Sequence, residues 1–196
     1  MNKGRDEMNE GHLRYLASPE WAETLRRDLL SWLTRVVDLG DDVLEIGPGP
    51  GLTTDLLRER VLTVTAVELD ASLAAALAER LAGTGTRVLH ADATATDLPA
   101  NRFSTVTAFS MLHHMPSPDH QDRLFAEVCR MLRPGGTFVG VDGKDVPTIR
   151  DAHVGDVFVP VDPDRLAARL VAAGLSNVTI EDGETQFRFT ARKDAQ

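Results

Sequence analysis

The chain has 196 residues, enough for one domain with a full core. With 42% hydrophobic and 26% charged residues it is neither a disordered nor a fibrous sequence, its apolar stretches stop short of a membrane span and its N-terminus is charged, so a cytoplasmic protein is expected. A net charge of −9 without any cluster of Lys or Arg argues against nucleic acid and membrane partners, and a lone cysteine, Cys129, excludes an internal disulfide and a thiolate metal cluster.

Residues 1–40 read as an N-terminal helical segment that caps the site, and 41–196 as the main domain. Between Pro19 and Val37 the apolar residues Trp21, Leu25, Leu29, Trp32, Leu33 and Val36 recur at three- and four-residue steps, the period of an amphipathic helix. Ser18 before Pro19 supplies a capping hydroxyl and a proline at the first helical position, and Gly40 follows the end. Short apolar runs then alternate with helical patterns. DVLEIG, LTVTAVEL, TRVLHA, FSTVTAFSML and TFVGVDG read as strands; LTTDLLRERV, ASLAAALAERLAG, HQDRLFAEVCRMLRPGG and PDRLAARLVAAGL read as helices, the third of them ended by Pro134-Gly135-Gly136. Such alternation implies βαβ crossovers and a mostly parallel sheet with helices on both faces. NVTIED and TQFRFTARK alternate apolar and polar residues around Asp182-Gly183, the pattern of a hairpin, which adds an antiparallel final strand. Only 143–161 lacks a clear period, and it is expected to be a substrate-side loop.

Chemistry concentrates at the ends of the first strands. VLEIGPGPG places Gly47, Gly49 and Gly51 where a doubly wound sheet binds ligands, and glycine there lets a ligand lie on the main chain beside a helix N-terminus. The spacing is G-x-G-x-G, neither the dinucleotide G-x-G-x-x-G nor a P-loop. Glu68 ends the second strand 17 residues after Gly51, a place from which a carboxylate can accept both ribose hydroxyls of a nucleoside. Asp92 follows the third strand, placed to accept the exocyclic amine of adenine, with the Ala93 N–H available to the ring.

Together, VLEIGPGPG, VTAVELD, HADATATDLP, VTAFSMLHHMP and LRPGGTFVGVD resemble the class I S-adenosylmethionine-dependent methyltransferases, in particular the small-molecule branch that includes ubiquinone- and menaquinone-type enzymes. The resemblance runs from about Asp42 to Asp142. It implies an α/β Rossmann-like, doubly wound sheet of seven strands, ordered 3-2-1-4-5-7-6 with strand 7 antiparallel. It implies S-adenosyl-L-methionine as cofactor and S-adenosyl-L-homocysteine as product. By the same resemblance Gly47, Gly49 and Gly51 pack against the methionine part, and Glu45 orients its amino group or the loop around it. Glu68 takes the ribose, Leu69 covers one adenine face, Asp92 and Ala93 read the adenine edge, and Ser110 and Met111 lie beside the sulfonium. The implied activity is methyl transfer to oxygen, nitrogen or carbon of a small molecule, by a monomer or a homodimer.

His113 and His114 follow the fourth strand, where an imidazole can take a proton from the acceptor; they are the candidate bases, though either can instead only hold the loop. Tyr15, the only tyrosine, lies with Arg14 in a segment that folds over the cofactor in similar proteins; it either bonds the cofactor carboxylate or packs on the first helix. His153 and Asp156 with Asp142 offer metal-ligand chemistry at no recognised spacing, and no metal is expected. Two other readings stay open: a regulatory protein that binds the same cofactor without transfer, and, disfavoured by the glycine spacing, an NAD-dependent oxidoreductase.

Overall fold

Val43, Leu44, Val64, Ala66, Val106 and Ala108 are all almost completely buried, which is the signature of strands covered on both faces. In the computed structural model, which describes residues 10–195, they belong to one sheet of seven strands: β1 (Asp42–Ile46), β2 (Thr63–Glu68), β3 (Arg87–His90), β4 (Phe103–Phe109), β5 (Leu132–Gly143), β6 (Ser176–Asp182) and β7 (Gln186–Arg192). Their order is β3-β2-β1-β4-β5-β7-β6. The first five pair in parallel, and β7 runs antiparallel between β5 and β6. The order and the reversed strand are those expected from the sequence.

Helices cover both faces. One core packs α6 (Pro118–Met131) and α8 (Pro163–Ala172) on the sheet through Leu124, Phe125, Val128, Leu166 and Leu170. On the other face, Trp32 and Leu33 meet Leu57 of α4 (Leu52–Arg58), and α5 (Ala71–Arg80) covers the β2 end through Leu77. The two crossings from β1 to β2 and from β2 to β3 leave strand order reversing between β1 and β4, where the carboxyl ends of neighbouring strands diverge and open a crevice.

Three expectations change in detail. The helix over Pro19–Val37 consists of α2 (Pro19–Thr24), a π-helical stretch (Leu25–Leu30) and α3 (Ser31–Val36), preceded by α1 (Glu10–Leu16). In the π stretch the wider i→i+5 bonding sets Leu25, Leu29 and Leu30 on the buried side together, which strict 3.6-residue spacing does not. The helix ending in Pro134-Gly135-Gly136 stops instead at Met131: Pro134 keeps Arg133 out of the helical region, and Leu132, fully buried with φ −61 and ψ 137, has left it one residue earlier to pair with Phe103 as the start of β5. Within 143–161 a short helix, α7 (Pro147–Ala152), forms. The hairpin forms as expected, with the Gly183 N–H on the Gln186 carbonyl at 2.9 Å.

Candidate active site

The crevice at the β1–β4 divergence widens into a cavity of about 890 Å³, within the size range of small-molecule and cofactor sites. Its floor is the turn after β1. Gly47 and Gly49 have φ +65 and +54; a Cβ on Gly47 would come within 2.9 Å of the Met111 Cβ, whereas one on Gly49 would meet nothing within 4 Å. The first glycine is thus required by the protein itself, and the second leaves room above the main chain for a ligand. Gly51, with φ +86, caps α4 and is packed from behind by Leu77 and Arg80 rather than lining the cavity.

Glu68 is the buried acid on the cavity wall. Its Oε2 accepts the Gly49 N–H at 3.0 Å and its Oε1 the Asp70 N–H at 2.9 Å, so one carboxylate ties the glycine turn to the end of β2. Each oxygen keeps a further lone pair. Leu69, 63% exposed, projects at the cavity edge, and Asp92, Ala93 and Thr94 form the wall beyond it. Asp92 Oδ1 already accepts the Thr94 N–H and hydroxyl, both at 2.8 Å, which fixes the carboxylate and directs Oδ2 away from its own turn. Ser110 and Met111 line the cavity at the end of β4. Ser110 holds φ +53, a strained value for a residue with a side chain, and its N–H bonds the Val141 carbonyl at 2.7 Å.

Glu45 is placed differently from the residues that line the wall. It is 1% exposed, and its two oxygens accept the hydroxyls of Thr53 and, at 2.6 Å, of Thr54, in the first turn of α4. Burial raises its pKa to about 7, against the lowering effect of the two hydroxyls. The carboxyl thus braces the helix start that the glycine turn leads into. Of the two, Thr53 reaches the cavity. Tyr15 is 53% exposed and packs on Trp21, ring centroids 5.3 Å apart; of the two, Trp21 is on the cavity wall. With Leu13, Leu16, Leu25 and Leu29, Trp21 makes an apolar roof over the glycine turn, and Asp28 and Arg188 add charge at its far side.

The histidines separate. His114 lines the cavity, whereas His113, 3% exposed, lies behind it. The His113 Nδ1 bonds Asp142 Oδ1, and its Nε2 stands 3.0 Å from the Nε2 of His153. The segment 143–161 carries His153 to this place: the Val159 N–H bonds the His113 carbonyl at 2.7 Å, and fully buried Gln121 of α6 donates to the carbonyls of Leu112 and Val159. Burial lowers the His153 pKa, opposed by its bond to the Ile149 carbonyl. Sequence reasoning considered His153 but had no reason to bring it to His113, since forty residues separate them; nor did it pair Asp142 with His113 or Thr53 and Thr54 with Glu45.

A family model described as a methyltransferase domain matches residues 44–140, close to half of the chain, and takes in the strands that carry the glycine turn, Glu68, Asp92 and the Ser110–His114 turn. The chain belongs to the class I S-adenosylmethionine-dependent methyltransferases. Among curated relatives, an uncharacterized methyltransferase of Mycobacterium tuberculosis is 33% identical over 122 residues, covering 62% of this chain and 59% of the relative. A ubiquinone biosynthesis O-methyltransferase of Pseudomonas fluorescens is 34% identical over 113 residues, covering 55% and 47%. The chain therefore spans about half to three fifths of the curated relatives it matches. A solved S-adenosylmethionine-dependent methyltransferase from Aquifex aeolicus superposes with a TM-score of 0.74 at 18% identity, over 95% of this chain and 99% of that one, a likeness of fold. Among the described residues of this methyltransferase no helix is long and apolar enough to cross a membrane.

Proposed function

We propose that this methyltransferase uses the cavity to hold S-adenosylmethionine and a small acceptor together. The observation that carries the reading is Glu68, a buried carboxylate that braces the glycine turn with one lone pair of each oxygen and keeps the others toward the cavity. That donor-free, doubly accepting group suits a ribose diol, and the empty space above Gly49 suits a ligand lying on the main chain. When bound, S-adenosylmethionine supplies a methyl group on a sulfonium, whose charge is lost on transfer. The residues then have the following roles. Glu68 holds the ribose, Leu69 covers the adenine, the free oxygen of Asp92 and the Ala93 N–H meet its edge, and Gly47, Ser110 and Met111 border the sulfur. Glu45 acts through Thr53 and Thr54 by setting the start of α4.

The acceptor enters between the apolar roof and the turn with His114. Trp21, Leu25, Leu29, Phe109 and Val141 favour an acceptor with an apolar body, and its reacting atom faces His114, the one of His113, His114 and His153 that lines the cavity. Alignment in such a closed space supplies much of the rate enhancement, since fixing two reactants at near-attack distance is worth several kcal/mol. An acceptor proton passes to the histidine group when the nucleophile is a hydroxyl or an amine. The net charge of −9 favours a small molecule over nucleic acid.

Calorimetric titration tests the cofactor. S-adenosylmethionine and S-adenosylhomocysteine are expected to bind in the micromolar range and NAD not at all; binding of NAD alone would overturn the reading. Transfer of labelled methyl to any member of an acceptor panel then separates an enzyme from a protein that only binds the cofactor. Asp92→Ala is expected to weaken S-adenosylhomocysteine binding by about tenfold or less, near 1 kcal/mol for a neutral-donor hydrogen bond, without changing the unfolding midpoint. A shifted midpoint with unchanged affinity would reduce Asp92 to a turn residue.

A further inference from the structure

The three histidines at the acceptor end are arranged as ligands. One ring nitrogen from each of His113, His114 and His153 lies within 4.8 Å of the others. In each ring the other nitrogen, Nδ1, faces an oxygen: a carboxylate oxygen of Asp142 for His113, the Val157 carbonyl at 3.3 Å for His114, and the Ile149 carbonyl at 2.6 Å for His153. A carbonyl or carboxylate oxygen only accepts, so Nδ1 carries the proton in all three neutral rings and the lone pair is on Nε2. The Nε2 atoms of His113 and His153 are 3.0 Å apart, and two lone pairs at that distance repel unless a cation lies between them.

Four further features favour a metal over a single shared proton. Ligand nitrogens of a tetrahedral zinc site, with bonds of ~2.0–2.1 Å, stand ~3.3 Å apart, which the observed spacing brackets. Metal-bound histidines generally pass their second N–H to a carboxylate or a backbone carbonyl, and here all three do. Asp142 is completely buried, and its Oδ2 has no hydrogen-bond partner among the described residues, so this carboxylate needs positive charge close by. Phe158 stacks on His153 with centroids 4.8 Å apart and meets His113 edge-on at 5.6 Å, an apolar flank of the kind that accompanies metal sites.

We propose that His113, His114 and His153 bind one divalent transition-metal ion, with zinc the ion best matched, oriented by Asp142 and the carbonyls of Ile149 and Val157. Three imidazole ligands leave a fourth position, and since His114 alone of the three lines the cavity, that is the side from which a further ligand would reach it. There it would take an oxygen or nitrogen of a cavity ligand. With the metal in place the rings act as ligands and no longer take the acceptor proton themselves; an acceptor hydroxyl would then lose its proton to solvent because coordination lowers its pKa. This last role rests on the methyltransferase reading; the metal site itself does not.

The test is titration of the chelator-treated full chain with Zn²⁺ against a chromophoric competitor, and with Co²⁺ followed by its visible absorption. One equivalent of Zn²⁺ and an intense four-coordinate Co²⁺ spectrum are expected, with affinity at least tenfold weaker in His153→Ala and 10- to 100-fold weaker in Asp142→Asn. Circular dichroism identifies variants that fail to fold; half-buried His114, in His114→Gln, then carries the comparison, with the same tenfold loss expected. Folded wild-type chain that takes up no stoichiometric metal, or variants that bind as the wild type does, overturn the site. Zinc binding without S-adenosylhomocysteine binding would leave the metal site standing and sink the cofactor assignment instead.

Discussion

Replacing Glu68 by alanine is expected to weaken S-adenosylmethionine and S-adenosylhomocysteine binding by roughly 5- to 150-fold, or about 1–3 kcal/mol, the range for losing hydrogen bonds to a charged group. Two effects combine in that number. The ribose hydroxyls lose their acceptor, and the N–H groups of Gly49 and Asp70 lose theirs, which frees the turn from the end of β2. A ligand comparison separates the two. An S-adenosylhomocysteine analogue lacking the ribose hydroxyls has nothing to give Glu68, so the wild type should bind it more weakly than the parent, and Glu68→Ala should bind both nearly alike. The difference between the two ligands is then the coupling between carboxylate and ribose, free of the shared loss of loop geometry. If the mutation weakens both ligands equally, Glu68 only supports the turn.

The alternation of strands and helices, the reversed last strand and the position of the glycine turn were legible because each rests on local patterns, whereas the strand order followed only from the family resemblance. Buried parallel strands are short apolar runs, helices repeat at 3.6 residues, and the glycines fall at a strand end where the chain must turn at positive φ. Gly47, Glu68, Asp92 and Met111 come together because the carboxyl ends of β1 to β4 lie side by side, so the order of the strands alone places them. What could not be read depends on contacts across long sequence separations or on irregular backbone. His153 reaches His113 only because 143–161 turns through α7 and is clamped by Gln121, a polar residue that helical periodicity assigns no role. The π-helical stretch is invisible for a similar reason: Leu25 and Leu29 satisfy an α-helical pattern by themselves, and only the packing of Leu30 beside them in the core with Trp32 and Leu57 reveals the wider turn. Tyr15 and Trp21 are neighbouring aromatics six residues apart, and nothing in their spacing says that the second one faces the cavity.

Glu45 makes stability fall as pH rises, and the effect should be large. Its carboxyl is held at about 7 in the folded protein by burial, above the 4.5 of an exposed glutamate. Between those values the native state binds more protons than the unfolded chain, so stability attributable to this group is fully present below about pH 4.5 and is lost as pH rises through about 7. The loss amounts to on the order of 3 kcal/mol by pH 8, a sizeable part of the stability of a domain this size. His153 acts in the opposite sense, because burial lowers its pKa and acid must charge a ring the fold keeps neutral. The informative quantity is therefore a difference. In Glu45→Gln the side chain cannot ionise and its amide still bonds a threonine hydroxyl, so the pH dependence of His153 remains while that of Glu45 disappears. Urea unfolding at pH 5 and pH 8 should show wild type losing more stability than the variant over that interval, with the variant the more stable of the two at pH 8. Parallel curves for the two proteins would mean that Thr53 and Thr54 already hold the carboxylate charged, and that the apolar surroundings of β1 impose no penalty on it. The same titration with S-adenosylhomocysteine present extends the argument: a ligand ammonium close to the turn lowers the Glu45 pKa, so ligand binding near pH 6 should release a proton in wild type and none in Glu45→Gln, seen as a buffer-dependent binding enthalpy in the first protein alone.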